Sequence, residues 1–320
     1  MIVAGIDEAG LGPVLGPLVA TAAVFTVPDD RAGESMWKLL APEVSRKPSR
    51  RGRAVAFADS KTLYTRKSKA GLTHLERGVL GVLAAGGRSC RSLRGLLDVV
   101  APGTGEQLDR CPWYAEADLP LPRKLTGAEV GFSGNALAAA MQRQAVRLET
   151  VRSVILTAAR FNRIAAVTRN KSVLALDLTC RLLWYVWDRA RQAVRVHVDR
   201  QGGRTRYLPA LQRTFPGCGF KVLEEGETTS AYVVSRGGKS MEIAFTVKAE
   251  QSQLPVALAS MVCKYIREVM MELFNRFWQG RVEDLAPTAG YYTDGRRFFS
   301  EIRPAMADLN IDESLLYRCR

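Results

Sequence analysis

Three apolar segments of this chain each run into acidic residues. Residues 2–6 lead into Asp7 and Glu8, 194–198 into Asp199, and 244–248 through Ala249 into Glu250. Taken singly, each is a strand end emerging into solvent. Carboxylates held instead at the mouth of an apolar sheet are costly to bury without a neutralising partner, and a divalent cation supplies one. If the three strand ends are neighbours, Asp7, Glu8, Asp199 and Glu250 form an oxygen-rich site suited to Mg²⁺ or Mn²⁺. Two such ions, about 3.5–4 Å apart, deliver a hydroxide in line with a phosphodiester and stabilise the departing oxygen. That chemistry needs no histidine or cysteine nucleophile, which suits a chain with only 2 histidines.

The elements that must position these acids follow from periodicity and turn chemistry. Residues 2–6 and 18–25 read as two strands of a hairpin around a Gly- and Pro-rich turn. Segments 194–198, 221–223, 231–234 and 242–247 read as further strands. Apolar residues recur three and four apart over 65–85, 135–164 and 171–194, which predicts helices there. Pro255 suits the first turn of another helix reaching about Phe277, and 296–302 reads as helical. Residues 86–122, rich in Gly, Pro and Arg, read as irregular, within an insertion reaching about 134. The mixed order predicts an α/β fold around one central mixed sheet. Its catalytic domain is expected over 1–270 and a helical extension over 271–320.

The glycines after Glu8 allow two readings. Gly10-Leu11-Gly12-Pro13-Val14-Leu15-Gly16 is superficially a dinucleotide fingerprint. That fingerprint must open a helix whose free N–H groups hold a pyrophosphate. Here Pro13 and Pro17 remove donors, a strand follows, and two carboxylates would repel the ligand. Arg236-Gly237-Gly238-Lys239-Ser240 likewise ends like a phosphate loop, but Val233 stands where its first glycine is required, so it reads as a basic hairpin turn.

Bulk properties narrow the partners. The net charge of +14 favours a polyanion, and the excess is clustered: residues 46–69 hold nine Lys or Arg and one acid. The 6 cysteines contain no C-x-x-C pair, which argues against zinc and for reduced, mostly buried thiols. No apolar run is long enough to span a bilayer and the first residues lack a signal-peptide layout, so no membrane partner, a cytoplasmic location and a monomer are expected.

The sequence resembles the ribonuclease HII family. The match rests on Gly5-Ile6-Asp7-Glu8-Ala9-Gly10-Leu11-Gly12-Pro13 followed by Gly16-Pro17, on Asp59-Ser60-Lys61-Thr62-Leu63, on Val198-Asp199, on Lys248-Ala249-Glu250 with Ala259-Ser260 and Lys264, and on Gly290-Tyr291-Tyr292-Thr293. The resemblance covers about 1–75 and 165–300. It implies a ribonuclease H-like fold and hydrolysis of RNA in an RNA/DNA hybrid, or at a ribonucleotide embedded in duplex DNA, leaving 3′-hydroxyl and 5′-phosphate ends. It further implies that Asp7, Glu8, Asp199 and Glu250 hold two Mg²⁺ or Mn²⁺ ions. Gly10, Leu11 and Gly12 would read the ribose, Ser60, Lys61, Ser260 and Lys264 would meet the nucleic acid, and Tyr291 would stack on the sugar beside the cut. The chain departs from the family pattern at Leu11, where an Arg or Lys is usual, and at Glu250, where an Asp is usual. Glu250 resembles the related ribonuclease HIII branch, whose additional N-terminal domain is not expected here. These departures motivate the alternative of a weak or inactive nucleic-acid-binding paralogue.

Overall fold

The computed structural model describes residues 1–48, 54–65, 69–115, 117–168 and 170–319. Much of the basic stretch, including Arg50, Arg51, Arg53, Arg66 and Lys67, lies outside the described residues. The strands are β1 (Ile2–Ala9), β2 (Leu18–Thr26), β3 (Val44–Ser45), β4 (Val55–Ala56), β5 (Arg147–Leu156), β6 (Val194–Asp199), β7 (Gly219–Glu225), β8 (Thr229–Arg236) and β9 (Lys239–Thr246). Seven of them form one mixed sheet in the order β5-β2-β1-β6-β9-β8-β7, and β3 and β4 pair separately. β1 and β2 are the antiparallel hairpin expected, while β1, β6 and β9 run parallel.

The helices in chain order are α1 (Met36–Leu39), α2 (Ser60–Leu63), α3 (Thr73–Ala85), α4 (Leu93–Val100), α5 (Gly105–Asp109), α6 (Pro112–Ala115), α7 (Gly127–Arg143), α8 (Ala158–Thr168), α9 (Lys171–Arg189), α10 (Leu208–Thr214), α11 (Leu254–Gln279) and α12 (Tyr292–Asp308). They cover both faces of the sheet. Successive strand side chains alternate in direction, so Val3, Val19 and Ala23 enter the core built around α11 and α3. Ala4, Ile6, Ala20 and Val196 enter the opposite core against α9. The mixed sheet with flanking and following helices is therefore present as expected. Among the described residues no helix is long and apolar enough to cross a membrane.

Two expectations are corrected. The helix expected over 135–164 is instead the end of α7, strand β5 and the start of α8. Val151, Val154 and Ile155 fit helical spacing while only Val151 and Ile155 fit strand alternation, and the ladder between β5 and β2, irregular at Val24/Phe25, decides the outcome. Ala145, in the left-handed region at φ 50°, makes the reversal between α7 and β5.

The segment 86–134 is not irregular; it holds α4, α5, α6 and the start of α7. Leu93, Leu96, Leu97 and Val100 are buried at helical spacing. Ser92 accepts from Gly95 N at 3.2 Å to cap α4, and a capping box of Thr126 and Glu129 starts α7. Trp113 of α6 meets Phe274 of α11 with ring centroids 5.4 Å apart, so this lobe packs on the helix that also lines the acidic cleft. The boundary expected at 270/271 falls inside α11. Phe298 and Ile302 of α12 lie in the same core as Val3.

Candidate active site

Register brings the acids together. Ile6 aligns with Val198, and Val198 with Phe245, so one step beyond this row Asp7 stands beside Asp199. After β9 the chain turns sharply at Lys248, a non-glycine residue at φ 56°. This lets Ala249 N donate to Asp199 Oδ1 at 3.1 Å and turns Glu250 inward. α11 reaches the site because Gly5 has no side chain: a Cβ there would stand 2.1 Å from Val256 N.

Strand alternation sends the two N-terminal acids to opposite faces. Asp7 faces α11 beside Ser260, whose Oγ donates to Ser60 Oγ at 3.1 Å. Glu8 faces α9: Gln201 Nε2 donates to Glu8 Oε2 at 3.2 Å and to Thr179 Oγ1 at 2.9 Å. Gln201 Oε1 is buried without a partner.

Asp7, Glu8, Asp199 and Glu250 border one cleft of about 510 Å³. Gly10, Gly12, Ser60, Lys61, Ser260, Lys264 and Tyr291 line the same cleft. Leu11 does not; its side chain packs against the core on the α9 face. A larger hollow of about 740 Å³ beside β2, β5 and α7 contains none of these residues. The cleft also holds two residues to which the sequence assigned no role, Asp59 of the quoted motif and Arg267. Asp59 caps α2 by accepting from Lys61 N at 3.0 Å, and Arg267 is a buried cation on the face of α11 toward the cleft.

The electrostatics are those of a buried carboxylate cluster with cations at its edge. Burial raises Asp7 well above the ordinary carboxylate range, and the charges of Glu8 and Asp199 add to it. Burial pushes Glu8 up to about 7, Asp199 contributing in the same direction while Gln201 and Lys61 oppose it. Burial also raises Asp199 and Glu250, with Asp199 and Asp59 repelling the Glu250 charge. On the rim, Lys264 Nζ lies 2.7 Å from Glu268 Oε1 and 5.1 Å from the Tyr64 ring centroid. Arg46 donates to the carbonyl of Gln251, which ties the start of the basic stretch to the cleft edge.

Tyr291 is held by backbone. Val14 N and Leu15 N donate to Gly290 O at 2.7 and 3.2 Å. Asp294 Oδ2 accepts from Thr288 Oγ1 at 2.6 Å and from Ala289 N at 2.8 Å. The tyrosine ring is left 55% exposed beside the glycine loop, open to stacking.

The donors fit a hard divalent cation: four carboxylates, oxygen ligands only, with raised proton affinities and an orphaned amide oxygen on the neighbouring Gln201. Among the described residues no three Asp, Glu, His or Cys side chains are already gathered into a metal cage.

No family model matches the sequence, and no curated protein matches it. Among solved structures, the chain is similar to RNase HII in its complex with PCNA from Archaeoglobus fulgidus, at 14% identity and TM-score 0.42, covering 100% of this chain and 95% of that one. It is similar to Bst-RNase HIII in complex with Mn²⁺ at 13% identity and TM-score 0.43, covering 99% and 66%. Similarity to ribonuclease H2 from Pyrococcus horikoshii OT3 is at 14% identity and TM-score 0.40, covering 99% and 92%.

Proposed function

We propose that this protein is a metal-dependent endonuclease that hydrolyses the RNA strand of RNA/DNA hybrids, or ribonucleotides embedded in duplex DNA, to 3′-hydroxyl and 5′-phosphate ends. The observation that carries this reading is the meeting of Asp7, Glu8, Asp199 and Glu250 in one cleft with Ser60, Lys61, Tyr291 and the glycine loop. These segments lie far apart in sequence, and each belongs to a motif of the resemblance.

Asp7, Glu8, Asp199 and Glu250 would hold Mg²⁺ or Mn²⁺, which when bound supplies a hydroxide and neutralises charge on the phosphate and the departing oxygen. Lys61 places a cation at the mouth of the cleft for the phosphate backbone. Lys264, already paired with Glu268, sets the charge of the opposite wall. Tyr291 offers an exposed ring to the sugar. Gln201 orients Glu8 from behind, as outer-shell partners of metal ligands do. The test is incubation with a duplex bearing one ribonucleotide, beside an all-DNA duplex, with and without Mg²⁺ or Mn²⁺. Metal-dependent cleavage of the first alone is expected; cleavage of neither, or of both equally, sinks the assignment.

A second reading, a nucleic-acid-binding relative with little or no turnover, is favoured by one observation: Leu11 packs against the core and does not line the cleft. It predicts duplex binding without turnover in the same assay.

A further inference from the structure

The segment after α12 folds back across the glycine loop. Leu15 and Tyr317 form an antiparallel bridge, Arg318 N donates to Val14 O at 2.9 Å, and Cys319 N to Asn162 Oδ1 at 2.8 Å. The Arg318 side chain is fully buried and forms no ion pair among the described residues. Its Nη1 donates to the carbonyls of Gly10 and Pro13 and its Nη2 to that of Gly16. The guanidinium carbon sits 4.9 Å from the Phe161 ring centroid. From the other side, Arg267 donates to Pro17 O at 3.0 Å and Ala289 O at 2.8 Å.

A buried cation without a carboxylate is expensive. Burial and the nearby Arg267 charge both work against protonation of Arg318. What it obtains in return is a set of loop carbonyls aligned toward it, and this fixes the opposite edge of each peptide. In a trans peptide the N–H points away from the carbonyl. With the Gly10 carbonyl turned to Arg318, the Leu11 N–H is turned the other way, on the side where Gly10 and Gly12 line the cleft. Neither the Leu11 nor the Gly12 N–H has an acceptor among the described residues, whereas the Val14 N–H is taken by Gly290 O. Gly10, at φ 96°, has no room for a Cβ, which would lie 2.6 Å from Pro17 O.

We propose that Arg318 is a positioning residue that clamps the loop from behind, so that the free N–H of Leu11 faces the cleft and discriminates ribose from deoxyribose. The proposal rests on the ribonuclease reading above. It also accounts for a loop in which the side chain at position 11 packs against the core: recognition falls to the backbone donor that Arg318 holds in place. A hydroxyl met by preorganised donors separates two sugars strongly, because the sugar lacking it leaves those donors unpaired.

The test uses the full chain with Arg318→Met and Arg318→Lys. Binding to a duplex with one ribonucleotide and to its all-DNA counterpart is followed by fluorescence anisotropy in Ca²⁺, kcat and KM in Mn²⁺, and amide exchange over 9–18 by mass spectrometry. In Arg318→Met the ribo/deoxy binding ratio is expected to fall about tenfold or more. The loss should appear mainly in KM, with all-DNA affinity unchanged and faster exchange in the loop, and Arg318→Lys should recover part of the ratio. A folded Arg318→Met that keeps the wild-type ratio, or loses affinity for both duplexes equally, overturns the proposal. If Arg318→Met does not fold, the same ratio in Arg318→Lys decides: unchanged ratio and exchange overturn the role. A wild-type protein with no preference for the ribonucleotide sinks the ribonuclease reading, and recognition by this loop with it. A selective wild type beside an equally selective variant sinks the role of Arg318 alone.

Discussion

Two buried acidic centres in this molecule behave oppositely. Glu76 of α3 is fully buried, and both its oxygens are occupied: it accepts from the backbone N–H groups of Arg123, Lys124 and Leu125 and from the Tyr265 hydroxyl. It pins the chain entering α7 against α3 and α11. Burial raises all four acids at the sheet end, and neighbouring carboxylate charge adds to the rise at Asp7, Glu8 and Glu250. A satisfied buried carboxylate stabilises the fold; a cluster of carboxylates crowded in a cleft stores an affinity for something cationic. The difference separates an architectural acid from candidate catalytic ones without reference to sequence motifs.

The largest effect that would break this comparison is on turnover. Asp7→Asn is expected to lower cleavage of a ribonucleotide-containing duplex by about three orders of magnitude or more while duplex affinity is retained. Full activity in that variant would remove the acidic centre from the chemistry. Glu76→Ala should do the reverse. Three backbone N–H groups and the Tyr265 hydroxyl lose their acceptor, so chemical denaturation should show a loss of about 2–4 kcal/mol, with kcat of the folded fraction near wild type.

Gln201→Ala probes the support of Glu8. The fold should hold while metal affinity, measured by calorimetry, or activity falls by about 10–100-fold; no change would mean that the amide does not orient Glu8.

The smallest effect is on stability against pH. Glu8 ionises near its ordinary 4.5 when unfolded and only at about 7 when folded. The folded state therefore binds more protons between these values, and stability falls as pH rises through that window. Metal-free protein should lose about 1–2 kcal/mol between pH 4.5 and 7.5 from this site, and Mg²⁺ or Mn²⁺ should restore it at the upper end. Thermal melts with chelator and with metal check both; a metal-free stability that rises across the window would contradict the raised carboxylates.

Much of this was legible in the sequence, for specific reasons. The strands ending at Asp7 and Asp199 were readable because apolar runs closing on a polar residue admit few other structures. The turn at Gly237 and Gly238 and the start of α11 at Pro255 were readable because glycine and proline restrict the backbone locally. Strand β5 was not, since Val151, Val154 and Ile155 carry a helical spacing that only pairing with β2 overrides. The lobe at 86–134 was hidden by its Gly, Pro and Arg content, although Leu93, Leu96, Leu97 and Val100 carried a helical signal.

The sequence by itself determined which residues could do the chemistry, because side-chain type and strand termini are local properties. Only the tertiary structure decided that Glu8 leans on Gln201, that Leu11 packs against the core, and that Arg318 grips the glycine loop from behind while Arg267 holds it from the other side. Those contacts join residues up to 308 positions apart. No local rule of spacing or propensity reaches that far, and burial, which gives them their energy, exists only once the sheet and its two helical layers have closed.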